Sequence, residues 1–303
     1  MYRVLAYLLV APLYLLSLLP LRVHYLFSGI IAFLLRRVVK YRRTVIDANL
    51  EAAFPHLSGN ERDGIAAGYY RYLSDVICEM VWAMTRSGSY IRRKGFMTVD
   101  PEGEKLFNET FTSSPSVVTL LSHTGNWELA SELPAYMHQP AFSIADMTVA
   151  YQPLHSPLSE QLFGLMRRKR LSEPGSLIPS GTILRFMLER RGQRRAYFFI
   201  ADQYPLGGVS VTTSFLGLET EWVRGAESVA RKLHLPVLYV YIDRVKRGGY
   251  VIKISQICSD ASLMREGEVT AAYSALLEKD ILARKENWLW SHRRWKNKDL
   301  YTI

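Results

Sequence analysis

The chain predicts a mixed α/β fold, a largely parallel sheet flanked by helices, with an N-terminal hydrophobic membrane-anchor helix. Three observations carry this. Short, apolar, β-branched runs such as Val117–Leu121 and Ala196–Ile200 alternate with stretches of helical periodicity, and strands that alternate with helices build parallel sheets covered on their faces. Two of those runs end in a chemically useful polar residue, His123 and Asp202, at the carboxyl edge where open α/β sheets hold ligands. Residues 4–19 and 26–35 are almost wholly apolar and a cluster of cations follows them.

At 303 residues with 49% hydrophobic and 12% aromatic residues, the chain can bury a sizeable core and is neither disordered nor low in complexity. We divide it into residues 1–40, an anchor with a basic juxtamembrane segment, and residues 41–303, the catalytic body. The net charge of +10 calls for an acidic partner, which by charge alone is nucleic acid, an anionic membrane, an acidic carrier protein or a phosphorylated substrate. Cys78 and Cys258 lack metal-ligand spacing and lie in apolar patterns, so both read as structural thiols of a reducing compartment.

In chain order, the first apolar run is at the lower limit for a span, and the two runs together exceed it. Only Arg3 charges the start and no small-x-small cleavage site follows, so the segment reads as a retained anchor, spanning or interfacial, rather than a cleaved leader. A core helix is the alternative, since Pro12 and Pro20 interrupt it. Arg36, Arg37, Lys40, Arg42 and Arg43 come next, and by the positive-inside rule they place the remaining chain in the cytoplasm. Residues 41–55 form an amphipathic helix stopped at Pro55, and residues 61–85 carry a helical stripe of core residues.

The centre of the chain is Val117-Val-Thr-Leu-Leu-Ser-His-Thr-Gly-Asn-Trp-Glu-Leu-Ala130. A buried strand delivers His123, Gly125-Asn126 turns the chain, and a helix runs from Glu128 towards Tyr136. Five residues on an ideal helix turn through about 500°, so His123 and Glu128 meet only if the bend folds Glu128 back. Such a pair lets the carboxylate fix the tautomer and leaves the other imidazole nitrogen as a base for an alcohol; a capping or core histidine is the plainer alternative. Further on come a helix ending in Arg167, Arg168, Lys169 and Arg170, a helix capped by Ser180, the strand before Asp202, a helix from Gly225 to His234, two strands around Gly248-Gly249 and a helix over residues 269–283. A cationic helix end is ordinarily a solvated complement to the helix dipole. The final block, Asn287-Trp-Leu-Trp-Ser-His-Arg-Arg-Trp-Lys296, interleaves aromatic and basic residues in a way that suits stacked bases or a membrane interface. There is no dinucleotide fingerprint and no Gly-x-Ser-x-Gly elbow.

His-Thr-Gly-Asn-Trp-Glu at residues 123–128 resembles the His-x4-Asp/Glu signature of glycerolipid-type acyltransferases, and its longer form that of the late acyltransferases of bacterial lipid A biosynthesis. Four further blocks agree in order: Arg42-Arg43 with Asn49-Leu50 and Phe54-Pro55, the basic block ending at Arg170, Asp202 with Phe215-Leu-Gly217, and the closing Trp-x-His-Arg-Arg-Trp-Lys. The resemblance spans residues 42–296. It implies that His123 and Glu128 are catalytic, that Asn126 and the neighbouring amides sit at the oxyanion, and that Arg170 (with Arg168 as rival) and Asp202 serve substrate binding, Asp202 by orienting Arg170 or touching the acceptor. It implies direct acyl transfer without cofactor or metal, an acyl carrier protein or acyl-CoA as donor, a lipid A precursor as acceptor, and the cytoplasmic side of the bacterial inner membrane, with no nucleic acid. An acyltransferase for another glycolipid or aminolipid, a thioesterase, and a non-catalytic basic membrane-surface protein are the alternatives.

Overall fold

The fold is described from a computed structural model covering residues 2–153, 156–168, 176–205, 207 and 209–301. Helices α1 (Tyr2–Ser17), α2 (Leu21–Phe33), α3 (Arg43–Ala53), α4 (Gly59–Ala83) and α5 (Gly88–Arg93) precede strand β1 (Met97–Val99). Next come α6 (Pro101–Ser113), β2 (Val117–Leu121), α7 (Leu133–Tyr136), β3 (Met147–Tyr151), α8 (Pro157–Arg168), β4 (Leu177–Pro179), α9 (Ile183–Glu189) and β5 (Ala196–Ile200). The chain closes with β6 (Ser210–Phe215), β7 (Leu218–Val223), α10 (Gly225–Lys232), β8 (Val237–Lys246), β9 (Gly249–Cys258) and α11 (Glu268–Ala283).

Among the described residues, seven strands form one sheet in the order β1-β9-β8-β2-β5-β3-β4. Every pairing in it is parallel except the β8–β9 hairpin. The expected α/β fold with a largely parallel sheet is therefore present. Strand β2 is buried along its whole length, as a strand covered on both faces must be. Its alternate side chains serve two cores. Val118 and Leu120 pack with residues of α4, α10 and α11, while Val117 and Leu121 pack with residues of α6 and α7.

The N-terminal segment differs from the expected single anchor helix. The chain breaks between Ser17 and Leu21, where Pro20 has no N–H to continue a helix. No helix among the described residues is long and apolar enough to cross a membrane. Helix α2 turns His24, Ser28 and Ala32 inward and packs against α4. Its other side leaves Leu26 (71%), Ile30 (57%) and Phe33 (60%) exposed.

Helix α4 starts where sequence chemistry says it should, at a Ser58–Glu61 capping box. Buried acids on α4 then tie it to α2 and to the hairpin. Asp75 accepts from Ser28, Arg244 and Arg247. One turn on, Glu79 accepts from Tyr25 and Tyr250 hydroxyls at 2.8 and 2.7 Å.

Three further local expectations are corrected. The stretch after Glu128 is a 3-10 turn, Trp127–Glu132, and only then the short α7 with Pro134 in its first turn. The break falls at Glu132, whose φ of −108° and ψ of 27° leave the helical region, and Pro134 follows in the first turn of α7, where its missing N–H costs nothing. Ser180 does not cap α9; the N-cap is Thr182, and the Ser180 hydroxyl donates to Gln152. Helix α10 stops at Lys232, short of His234, whose φ is +53°. The hairpin β6–β7 was not foreseen; Leu216 and Gly217, at φ +51° and +75°, make its two-residue turn.

Candidate active site

The site is built by strand register. β2 and β5 are parallel neighbours with Leu121 opposite Ile200. His123 and Asp202 each lie two residues beyond those strand ends, so the sheet delivers them side by side. The Asp202 carboxylate grips His123 twice: Oδ2 accepts from the backbone N–H at 2.8 Å, and Oδ1 stands 2.6 Å from Nδ1. The Trp288 indole N–H donates to Oδ2 at 2.8 Å. Trp288 is itself held to the strand end by a backbone bridge to Thr124.

Asp202 is 2% exposed. Burial alone would raise its pKa, but the adjoining His123 and the hydrogen bonds from His123 and Trp288 hold it below the usual carboxylate value. An ionised carboxylate accepts only, so Nδ1 carries the proton and donates. The lone pair is then on Nε2, where the Gln203 amide nitrogen approaches to 3.2 Å and donates. The Trp127 ring meets the imidazole edge-to-face at 5.3 Å.

The hydrogen-bond partners of the His123 ring are Asp202 and Gln203, where the sequence suggested Glu128. Nδ1 is held by Asp202 and Nε2 faces Gln203. Glu128 lines the same cleft as His123 without being its tautomer-setting partner. The cause lies in the intervening turn. Gly125 has φ +56°, and a Cβ there would come within 2.4 Å of the Ile242 carbonyl oxygen. The Tyr72 hydroxyl donates to the Gly125 carbonyl at 2.6 Å. Asn126 is fully buried and its side chain points away from the cleft, donating to Glu79 at 3.0 Å. This bond joins the turn to α4. Burial holds Glu79 above the usual carboxylate range.

Asp202 is where the sequence placed it, at a strand end, but its partner is His123. Arg170 lies outside the described residues, and its rival Arg168 closes α8. The C-terminal Trp/Arg block packs inward and leaves no open stacking surface. Trp290 is 0% exposed, Arg294 1% and Trp295 1%, and Arg294 lies over the Trp222 ring at 4.3 Å. Burial lowers His292 to about 4. Its Nε2 accepts from the Tyr204 N–H at 3.1 Å, so it is a neutral structural group. Asn49 donates to the carbonyls of Trp290 and His292, clasping α3 to the C-terminal block. Sequence reasoning missed Gln203 and Trp288; the signal for the former was its place beside Asp202 at a strand end.

His123 opens on a cavity of about 260 Å³ lined by Leu121, Trp127, Ala130, Val149, Phe198 and Ile200 among others. A second cavity of about 390 Å³, walled by Ile183, Leu184, Val223 and Ala226, shares Tyr151, Gln152, Ile200 and Gln203 with the first. The two apolar chambers therefore meet at Gln203, beside the free nitrogen of the histidine.

A carboxylate-oriented histidine at the carboxyl edge of an α/β sheet, opening on linked apolar chambers, is an arrangement suited to general-base chemistry on a substrate with an apolar part. The chain matches the family "Bacterial lipid A biosynthesis acyltransferase" over residues 1–297. It belongs to that family and is an enzyme that transfers acyl groups. It is 24% identical over 265 residues to the lipid A biosynthesis palmitoleoyltransferase of Escherichia coli (strain K12), covering 87% of this chain and 81% of that protein. The same figures hold for a lipid A biosynthesis acyltransferase of Shigella flexneri.

Proposed function

We propose that the protein moves a fatty acyl chain from an acyl thioester, carried by acyl carrier protein, to a hydroxyl of a lipid A precursor at the inner membrane. The observation that carries the reading is the Asp202–His123 pair, with Nε2 turned to the junction of two apolar chambers. The acceptor hydroxyl takes the place of the Gln203 amide at Nε2 and gives up its proton there. Its oxygen attacks the thioester carbonyl. As the tetrahedral intermediate collapses the C–S bond breaks, the leaving thiolate takes the proton from the imidazolium, and an ester and a free thiol result. Asp202 stabilises the imidazolium formed on the way. Glu128, in the wall of the first chamber, serves as a substrate contact, and Arg170 remains a proposed ligand for a substrate anion.

The family and the names of the two relatives support lipid A chemistry. The charge of +10 favours an acidic carrier as donor. Exposed apolar residues on α2, followed by Arg36 and Arg37, favour a helix lying in the membrane interface with the site on the cytoplasmic side. Mass spectrometry of products tests the proposal, using detergent-solubilised protein, labelled acyl carrier protein and a panel of lipid acceptors. A mass gain of one acyl chain on the lipid A precursor, absent with His123→Ala, is the expected result. Free fatty acid alone, or gain only on another lipid, would overturn it.

A further inference from the structure

A third cavity, of about 720 Å³, lies between α2, α4 and the β8–β9 turn, and shares no wall residue with the two catalytic chambers. Small residues open it. A Cβ on Gly29 of α2 or on Gly64 of α4 would meet nothing within 4 Å.

One end of the cavity is lined by Asp75 and three arginines, Arg71, Arg244 and Arg247. Asp75 is buried and is bound by Arg244 and by both arms of Arg247. Arg71 precedes Asp75 by four residues, which sets both on one face of α4. Arg71 is exposed and has no hydrogen-bond or ion-pair partner among the described residues. Glu286 lies beside Gly68, one turn of α4 from Arg71, since a Cβ on Gly68 would come within 3.0 Å of its Cβ. Arg71, Arg244 and Arg247 against Asp75 and Glu286 leave one positive charge at that end. Glu61 lines the far end. Glu61 is engaged in the α4 capping box, and ten residues of helix, about 15 Å, separate it from Arg71. The cavity is thus electrically lopsided, cationic at the Arg71 end.

We infer that this end binds the phosphodiester headgroup of an anionic membrane lipid. A phosphate suits two or three converging guanidinium groups, which can grip it bidentately. The choice of a lipid follows from α2. That helix lines the cavity with Ser28, Gly29 and Ala32 and exposes Leu26, Ile30 and Phe33 beside it. The headgroup is held by arginines while its chains lie along the apolar side of the same helix. The site is assembled only when α2 is docked, because Ser28 and the Tyr25 carbonyl share Arg247 with Asp75. It therefore fixes the depth and orientation of the protein at the surface.

The test is native mass spectrometry of the full chain in dodecyl maltoside with added dioleoyl-phosphatidylglycerol, dioleoyl-phosphatidylcholine or inorganic phosphate. Arg71→Glu reverses the unpartnered charge, and Gly64→Leu fills the cavity while raising helix propensity. The expected result is preferential phosphatidylglycerol retention that falls about tenfold or more in each variant, with thermal unfolding no earlier than in the parent. Equal retention by the parent and both variants overturns the site. Occupancy by inorganic phosphate without lipid overturns the lipid and makes a soluble phosphate compound the occupant. His123→Ala binds as the parent does, so lipid binding and acyl transfer fail independently.

Discussion

His123 and Asp202 stand two residues past the paired strand ends Leu121 and Ile200, and the aspartate binds both the backbone N–H and Nδ1 of the histidine. A pair set by sheet register moves only if the sheet moves. The bond to Nδ1 fixes the tautomer, and Trp127 meets the ring edge-to-face from the following turn.

Asp202→Asn keeps the shape and loses the charge that fixes the tautomer. By analogy with other carboxylate-oriented histidines, kcat should fall about 10³- to 10⁴-fold with KM little changed. Steady-state kinetics on acyl transfer measures this.

The same carboxyl gives a pH signature in stability. Its folded pKa is depressed, so its contribution is complete above the ordinary value of about 3.9 and is lost as pH falls through the lower folded value. The stability gap between parent and Asp202→Asn should narrow as the pH falls below about 4. Denaturant titrations across that range check it; a gap that widens on acidification would contradict the assignment.

Gly125→Ala puts a Cβ against the Ile242 carbonyl at a backbone with φ +56°. The expected cost is about 2 kcal/mol or more. Activity should drop further than the folded fraction, because this turn begins at His123, the proposed base.

Glu79→Leu strips the acceptor from Tyr25, Tyr250 and Asn126 at once. Orphaning three buried donors should cost about 3 kcal/mol or more. Glu79→Gln, which keeps an acceptor oxygen, should cost less. Thermal unfolding of the two variants separates lost bonding from lost charge.

Val149→Phe projects new bulk into the chamber below His123. If that chamber takes the donor chain, turnover with long acyl thioesters should fall at least about tenfold more than with short ones. A donor-length series on the variant measures the shift.

The centre of the sheet was legible because β2 and β5 are short, almost wholly apolar runs. Val117–Leu121 and Ala196–Ile200 could not be amphipathic helices, and both ended in a residue of evident use. The hairpin Ser210–Phe215 with Leu218–Val223 escaped because half of its residues are polar and its turn includes Leu216 at positive φ, a residue that rarely marks a turn. His123 could be named from its motif. Its partner could not be chosen by spacing, since Glu128 is five residues away in sequence and Asp202 is 79, and only pairing β2 with β5 brings the second within 2.6 Å. Asn126 showed the opposite limit: a polar residue beside a catalytic histidine looked like a substrate contact, but a buried glutamate on α4 claimed it. The N-terminal apolar run gave composition without geometry, and Pro20 decided that it folds as two helices.

The account turns on which carboxylate serves the histidine. The measurement to make is single-turnover acyl transfer from labelled acyl carrier protein by Asp202→Asn and Glu128→Gln, prepared side by side with the parent. The account predicts a loss of about 10³-fold or more for Asp202→Asn and a distinctly smaller loss for Glu128→Gln. Near-normal transfer by Asp202→Asn with Glu128→Gln inactive would contradict it.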